Sequence, residues 1–168
     1  IAESWGERVL IDGDKMPGAK FFPDARLNFA ENMLRRRDDA PAVIFQAEDK
    51  VRRELSWRAL YDAVSRLAQA LRDVGVGPGD RCAGFIPNMP DAIIAMLATT
   101  SLGAVWTSCS PDFGERGVLD RFGQVEPTVL FTADGYFYNG TAHDSRDRVA
   151  SFVAELPSVR KVIVCPLV

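Results

Sequence analysis

The spacing of apolar positions changes along the chain, and each spacing predicts a different element. Between residues 56 and 75, apolar side chains recur at steps of three and four, which is the pattern of an amphipathic helix. Ser56 is a preferred cap for the start of that helix, and Gly75 is a preferred residue just past its end. Residues 42–46 and 51–55 are instead β-like runs on either side of a polar turn. They predict a β-hairpin.

Beyond residue 80, short apolar runs alternate with helical patterns. The pattern predicts strands over residues 81–86, 104–107, 128–132 and 161–165, and helices over residues 91–102, 114–125 and 145–156. Right-handed crossovers between such strands give a mostly parallel, doubly wound α/β sheet. The last strand is expected to leave a sheet edge with which a second copy can pair.

The first forty residues show little periodicity. A short helix is predicted over residues 27–37, with the basic end Arg35-Arg36-Arg37 at its negative pole. We therefore expect an N-terminal extension over residues 1–40 and an incomplete α/β subdomain over residues 41–168. The apolar run at the end of the chain has no strand after it, which suggests a fragment of a longer protein.

Ligands of open parallel sheets bind at the carboxyl ends of the strands. The candidate regions are residues 87–89, 108–112 and 134–138, all three expected to be loops. In the second, a buried strand is expected to run into a polar turn that opens a helix, with Ser110 as its cap, Pro111 at the first helical position and Asp112 near its positive end. An ordinary helix cap is the alternative to a binding site there. In the third, Tyr136 and Tyr138 offer rings that stack on a purine or pack on their own backbone.

Composition and charge exclude several classes of protein. The balance of 47% hydrophobic and 26% charged residues is globular, and a net charge of -3 gives no footprint for nucleic acid. Cys82, Cys109 and Cys165 lack paired spacing, so we expect buried, reduced thiols. The sequence shows no charged start followed by an apolar signal core, so a cytoplasmic protein is expected. Residues 92–111 are uncharged and long enough to span a bilayer. Gly103 and six hydroxyl residues interrupt them, however, so a buried helix and strand are expected and no membrane span.

Known catalytic motifs are missing from the sequence. It contains no G-x-x-x-x-G-K-[ST] phosphate loop, no G-x-S-x-G elbow and no cluster with metal-ligand spacing. The glycines at Gly77 and Gly79 follow a helix and precede a strand, which is the reverse of the phosphate-binding order. His143 is expected to be a surface residue. The residues themselves therefore indicate a parallel α/β domain whose loops can hold a nucleotide-like ligand, with no catalytic residue.

Distinct sequence boxes lie along the chain, at residues 21–32 (FFPDARLNFAEN), Leu55-Ser56-Trp57, residues 77–81 (GPGDR) and residues 87–90 (PNMP). Three more are residues 106–114 (WTSCSPDFG), 121–127 (RFGQVEP) and 133–136 (ADGY). The whole set resembles the acyl-adenylating enzymes, and the last three boxes are similar to acetoacetyl-CoA synthetases within that family.

The resemblance implies the amino-terminal part of the large domain of an ATP-dependent acid-thiol ligase. In this family, ATP and an acid, here acetoacetate, give an acyl-AMP with release of pyrophosphate, Mg²⁺ assists, and the thiol of CoA then displaces AMP. The family's phosphate loop, ribose-binding aspartate and catalytic lysine have no counterpart in residues 1–168. The chain by itself is therefore expected to be inactive, with small molecules as the partners of the whole enzyme.

The resemblance also implies a CoA side. Related acetyl-CoA synthetases use loops that match residues 107–111 and 135–141 near the nucleotide end of CoA, so Ser108, Cys109, Ser110, Tyr136 and Tyr138 are the candidate binding residues. In acetyl-CoA synthetases the second loop supplies arginines, and residues 136–141 contain none. The alternatives are a free-standing nucleotide- or CoA-binding module and a synthetase for another short acid such as acetate.

Overall fold

The computed structural model describes residues 2–168, and this part contains ten strands and five helices. The strands are β1 (Leu10–Ile11), β2 (Lys20–Phe21), β3 (Pro41–Ala47), β4 (Val51–Ser56), β5 (Arg81–Phe85), β6 (Val105–Cys109), β7 (Val129–Ala133), β8 (Gly135–Tyr138), β9 (Thr141–Asp144) and β10 (Lys161–Cys165). The helices are α1 (Phe29–Met33), α2 (Trp57–Asp73), α3 (Pro90–Ser101), α4 (Glu115–Val125) and α5 (Arg146–Ala154).

Four parallel strands form the central sheet, in the order β10-β7-β5-β6. Because side chains alternate between the faces of a strand, Cys82 and Phe131 contribute to one core with α2 and α3, whereas Phe85 and Leu130 contribute to another with α4 and α5. The doubly wound parallel sheet predicted from the sequence is confirmed. The strands β10 and β6 are its edges.

The long helix α2 begins and ends where the pattern predicts. The Ser56 hydroxyl accepts a hydrogen bond from the backbone N–H of Ala59 at 3.2 Å, which satisfies one of the free donors at the helix start. The helix ends at Asp73, and Gly75 follows with a φ of 86°, in the left-handed region that glycine tolerates. The predicted hairpin is also present as β3 and β4, which pair antiparallel.

The helix predicted over residues 27–37 is shorter than expected. It spans Phe29–Met33, and Asn28 caps it. Ala30 and Leu34 are buried with α2 and α3, so this helix shares their core. The guanidinium groups of Arg36 and Arg37 do not form a free basic end, because they lie over the rings of Trp57 and Tyr61 on α2. The division of the chain at residue 40 stays a prediction.

The helix predicted over residues 114–125 is present to within one residue, but the prediction that Ser110 caps it and Pro111 begins it is wrong. Ser110 begins a turn, in which the N–H of Phe113 donates to the Ser110 carbonyl at 3.2 Å. The helix α4 begins only at Glu115, with Gly114 at the cap position, and Glu115 is the acidic residue of its first turn. The local preferences of serine and proline suit a turn as well as a helix start, and here the turn is the conformation that forms.

The loop predicted over residues 134–138 is wrong, because residues 135–138 form the strand β8, which pairs antiparallel with β9. The connecting Asn139 and Gly140 have φ values of 51° and 75°, the left-handed pair that a two-residue hairpin turn requires. Residues 108 and 109, also expected in a loop, are the last two residues of β6.

Two further expectations concern the whole chain. Cys82, Cys109 and Cys165 are free and buried, as predicted. Among the described residues, no helix is both long and apolar enough to cross a bilayer, and residues 92–111 lie mainly in α3 and β6.

Candidate functional site

A cavity of about 590 Å³ opens at the carboxyl ends of the central strands. The connection after β5 leads to α3 on one face of the sheet, whereas those after β6 and β7 lead to α4 and α5 on the other face. Where the connections after neighbouring parallel strands leave to opposite faces of the sheet, a crevice opens between them. The residues that line it are Phe45, Gln46, Ala47, Glu48, Pro87, Asn88, Ser110, Pro111, Asp112, Tyr136, Phe137, Tyr138 and Leu167.

The turn over residues 110–112 forms one wall of the cavity. Pro111 is buried, and its carbonyl accepts a hydrogen bond from the Arg148 guanidinium on α5 at 2.9 Å. The end of β6 is joined to the neighbouring strand as well, since the N–H of Ile86 donates to the Cys109 carbonyl at 3.3 Å. These contacts fix the turn, so the exposed Ser110 is held at the rim by well-packed elements.

The hairpin β8–β9 forms a second wall with two different faces. Phe137 packs with Ile86, Met89 and Leu167 beneath the cavity. On the other face, the Tyr136 ring stacks on the His143 ring, with 5.0 Å between centroids and 18° between planes, and Tyr138 lies 6.4 Å from His143. His143 is half-buried in this aromatic group.

The hairpin β3–β4 forms the third wall. Its turn contacts the turn of the second hairpin, because the Glu48 carboxylate accepts a hydrogen bond from the N–H of Gly140 at 2.8 Å. Arg53 fixes the base of the hairpin, with one guanidinium nitrogen 3.2 Å from the Asp91 carboxylate and another 2.9 Å from the Pro166 carbonyl. The cavity is therefore bounded by segments from both halves of the chain.

Three of the five predicted binding residues share the cavity, namely Ser110, Tyr136 and Tyr138. Ser108 lies outside it, at a smaller depression of about 290 Å³ beside Arg121 and Phe122. Cys109 is buried against Val118 and Phe122, and burial raises the pKa of its thiol to about 11. Ser108 and Cys109 point to opposite faces because they are adjacent residues of a strand, whereas Ser110 lies past the strand end.

The lining of the cavity is acidic. Glu48 and Asp112 are the charged members of its lining, and it includes no lysine or arginine. Aromatic rings, a serine hydroxyl and an asparagine amide suit a planar ring or a polar neutral chain, whereas phosphate groups need cations. In residues 2–168, no group of three His, Cys, Asp or Glu side chains is placed to hold a metal ion.

The contribution of β3–β4 and of Leu167 to the cavity is not predicted from the sequence. No local pattern marks them, because their place at the cavity depends on contacts over long sequence distances. The pairing of Tyr136 with His143 was not predicted either. For that pair a signal was present, since Asn139-Gly140 between two short runs is a strong hairpin signal.

The fold and cavity fit a known class of protein. The family model described as "AMP-binding enzyme" matches residues 29–167, so the chain belongs to the AMP-binding enzyme family.

Within that family, the chain is similar to acetoacetyl-CoA synthetases. It is 56% identical over 156 residues to the acetoacetyl-coenzyme A synthetase of Rhizobium meliloti (strain 1021), with 93% of this chain and 24% of the relative covered. The solved structure of acetoacetyl-CoA synthetase from Streptomyces lividans matches with a TM-score of 0.88 and 53% identity, and it covers 95% of this chain and 25% of that one. A malonamoyl-CoA synthetase, vrtB of Penicillium aethiopicum, is 41% identical over 154 residues, covering 88% and 21%. The chain spans about a quarter of the length of these proteins.

Proposed function

We propose that this chain is part of a ligase that joins acetoacetate to CoA at the expense of ATP. The observation that carries the proposal is the match to the Streptomyces lividans synthetase, at 53% identity over 95% of the chain. The 56% identity to the Rhizobium relative supports the same acid. Identities near 40% would not, since the malonamoyl-CoA synthetase reaches 41%.

The proposed reaction has two steps. The acetoacetate carboxylate attacks the α-phosphate of ATP, which forms acetoacetyl-AMP and releases pyrophosphate. The thiol of CoA then attacks the acyl carbonyl, the thioester forms, and AMP leaves with the electron pair of the broken carbon–oxygen bond. Both steps need positive charge around phosphate groups.

Residues of this chain do not supply that charge at the cavity, whose charged members are Glu48 and Asp112. Mg²⁺ is proposed to enter with the ATP phosphates, and residues 2–168 contain no group of three His, Cys, Asp or Glu side chains placed to hold a metal ion by themselves. The chain alone is expected to be inactive, and the adenylating groups belong to the remainder of the ligase.

The role proposed for this chain lies on the CoA side. Tyr136 and Tyr138 line the cavity with aromatic surface on which an adenine ring can stack, and the Ser110 hydroxyl at the rim can donate a hydrogen bond. The CoA contacts predicted for Ser108 and Cys109 stay predictions, and the buried position of Cys109 favours a packing role.

The test is a hybrid of full family length, in which this chain replaces the matched quarter of the Streptomyces lividans synthetase. ATP–pyrophosphate exchange is measured with acetoacetate and with acetate, and circular dichroism establishes that the hybrid is folded. We expect exchange that favours acetoacetate, and none with the 168-residue chain alone. Exchange favouring acetate would replace the acid in the proposal, and a folded hybrid without exchange would contradict the ligase.

The second candidate is a free-standing nucleotide- or CoA-binding module, which the cavity within this chain favours. Calorimetric titration of the 168-residue chain with CoA, ATP and NAD distinguishes the two. Micromolar binding of one ligand by the chain alone, together with an inactive hybrid, would support the module. The prediction of a cytoplasmic location applies to either function.

A further inference from the structure

The turn of the hairpin β8–β9 places a side-chain amide directly before a glycine. Asn139 and Gly140 are both exposed, and a Cβ atom at Gly140 would meet nothing within 4 Å. The backbone nitrogen of Gly140 can therefore approach the side-chain carbon of Asn139 without steric hindrance, and a bond between them closes a five-membered ring. Asn28, Asn32 and Asn88 instead precede phenylalanine or methionine, whose side chains hinder such an approach.

One contact holds the nitrogen of Gly140 back from that reaction. The Gly140 N–H donates a hydrogen bond of 2.8 Å to the Glu48 carboxylate, which lies on the turn of the other hairpin, 92 residues away in sequence. An amide nitrogen must lose its proton before it attacks, and a negatively charged acceptor stabilises the protonated form. The positive φ values of Asn139 and Gly140, 51° and 75°, place this nitrogen in a tight two-residue turn. The fold therefore slows an attack that the local sequence favours.

We propose that Asn139 is a site of deamidation and that the Glu48 carboxylate sets its rate. In the reaction, the Gly140 nitrogen gives its proton to a solvent base and forms a bond to Cγ of Asn139. The bond from Cγ to the side-chain nitrogen breaks, and ammonia leaves with the electron pair and a proton taken from water. Water then adds to either carbonyl of the resulting succinimide, which opens to aspartate or isoaspartate. One water is consumed and one ammonia is released, so the chain needs no co-reactant other than water.

Both products alter the wall of the cavity. Aspartate at position 139 adds a negative charge next to the amide that Glu48 contacts, and like charges placed close together repel. Isoaspartate inserts one more carbon atom into the main chain of a turn that joins the paired residues Tyr138 and Thr141, which disturbs the register of the hairpin. Tyr136 and Tyr138 line the cavity from this hairpin. Deamidation is therefore a slow covalent change that loosens the contact between the two hairpins.

The test is a comparison of deamidation rates in the 168-residue chain. Each protein is incubated at mildly alkaline pH, and mass spectrometry of its peptides locates the replacement of an amide –NH₂ by –OH. We expect the reaction at Asn139. The variant Glu48→Ala is expected to react about tenfold faster, because Gly140 loses a charge-assisted hydrogen bond. Glu54→Ala removes an exposed carboxylate from the same hairpin and should react at the original rate.

A synthetic peptide of residues 135–144 gives the rate in the absence of the fold, and we expect it to react at least as fast as Glu48→Ala. Equal rates in Glu48→Ala and Glu54→Ala, or a folded parent chain as fast as the peptide, would overturn the control by Glu48. Reaction at the other three asparagines as fast as at Asn139 would overturn the site. Circular dichroism of each variant distinguishes lost protection from lost folding.

A second pair of variants tests the consequence for the hairpins. Asn139→Asp reproduces the aspartate product and is expected to raise the exchange rate of the Gly140 amide hydrogen about threefold, because repulsion weakens its bond to Glu48. Asn139→Gly keeps the left-handed turn, cannot deamidate and adds no charge, so its rate should stay near that of the parent chain. Equal rates in these two variants would contradict the loosening. None of these measurements depends on ligase activity, so a failure of the proposed ligase leaves them unaffected.

Discussion

The indole ring of Trp106 lies across Gly84, where a larger residue would strike it. A Cβ atom built on Gly84 would lie 2.8 Å from two atoms of that ring and 3.0 Å from a methyl group of Ile86. The ring also packs on Phe131, with 5.7 Å between centroids, so it has little room to move. The absence of a side chain at this position is therefore a requirement of the packing between β5 and β6.

The substitution Gly84→Ala is expected to lower the free energy of unfolding by about 1–3 kcal/mol, because overpacking displaces a ring that is held on its other side. Gly123→Ala is the matched control, since nothing lies within 4 Å of its Cβ position on α4. Alanine at that helix position is expected to be neutral or to stabilise by up to about 1 kcal/mol. Urea denaturation of both variants measures the difference, and equal stabilities would contradict the role of the ring.

The buried thiols make stability depend on alkaline pH. Burial raises the pKa of Cys109 from the ordinary 9.0 to about 11, and that of Cys165 to about 12. Below the ordinary pKa both states keep the proton, whereas above it the unfolded chain loses the proton first. The free energy of unfolding is therefore expected to fall as the pH rises from about 9 to 11.

Valine substitutions at Cys109 and Cys165 test this expectation, because they remove the titrating group while keeping an apolar side chain. Chemical denaturation between pH 8 and 11 should show a shallower decline in the double variant. A second measurement is the rate of reaction with a thiol reagent at pH 8, which we expect to be slow until the protein unfolds. An identical pH dependence with and without the two thiols would refute the explanation.

Among the elements, the short helix α1 is joined to the core through one side chain, that of Asn28. The side-chain oxygen Oδ1 of Asn28 accepts a hydrogen bond from the backbone N–H of Glu31, while its side-chain amide group donates to two carbonyls of α3. A helix of five residues has little stability of its own, so this double role joins it to the core.

Asn28→Ala is expected to cost about 2–3 kcal/mol of stability, since it removes a helix cap and two further hydrogen bonds. Ser56→Ala removes only the cap of α2 and is expected to cost about 1 kcal/mol. Urea unfolding of the two variants under identical conditions gives the comparison. A loss at residue 28 no larger than that at residue 56 would show that the bonds to α3 contribute nothing.

A second contact between elements joins the turns of the two hairpins at the cavity. Removal of the Glu48 carboxylate by Glu48→Ala is expected to raise the exchange rate of the Gly140 amide hydrogen about tenfold, because that amide loses a charge-assisted hydrogen bond. Glu54→Ala, in the same hairpin, removes an exposed carboxylate that lies 3.9 Å from Arg52, and should leave this rate unchanged. Nuclear magnetic resonance follows the single amide, and equal rates in both variants would refute the contact.

The sequence allowed prediction of elements whose signals are local. A capping serine, a helical period and a terminating glycine were enough for α2, and the alternation of strands and helices was enough for the parallel sheet. The strand β8 was missed because Tyr136, Phe137 and Tyr138 are as typical of an aromatic loop as of a short strand. The helical pattern located the start of α4 to within one residue, but its cap was assigned wrongly because Ser110 and Pro111 suit two local structures.

The candidate site was less predictable than the fold. The rule that ligands bind at the carboxyl ends of strands located the cavity and three of its residues, Ser110, Tyr136 and Tyr138. The alternation of side chains along β6 points Ser108 and Cys109 away from the cavity. It can be predicted only when the last residue of β6 is known. The position of the first hairpin rests on contacts such as that between Arg53 and Pro166, which no local pattern records.

At the scale of the whole molecule, the proposed CoA contact has a test that separates the two reaction steps. Tyr138 is 69% exposed, so Tyr138→Ala should hardly affect folding. In the full-length hybrid, it is expected to raise the KM for CoA about tenfold, because stacking of a base on an aromatic ring contributes about 1–3 kcal/mol.

Pyrophosphate exchange should stay unchanged in the same variant, since CoA takes no part in that half-reaction. Ile44→Ala, at a similarly exposed position outside the cavity lining, serves as the control for surface substitution. An unchanged KM for CoA in Tyr138→Ala would remove this residue from the proposed site. A fall in exchange would point to a structural effect instead.

The contact between Arg53 and Pro166 spans 113 residues, and this distance has a consequence during synthesis on the ribosome. The hairpin β3–β4 leaves the exit tunnel long before the segment that holds its base has been translated. At about 5–20 residues per second, the delay is roughly ten seconds. Throughout that interval the nascent hairpin exposes side chains that later line the cavity, so the growing chain has a period in which chaperones can bind it.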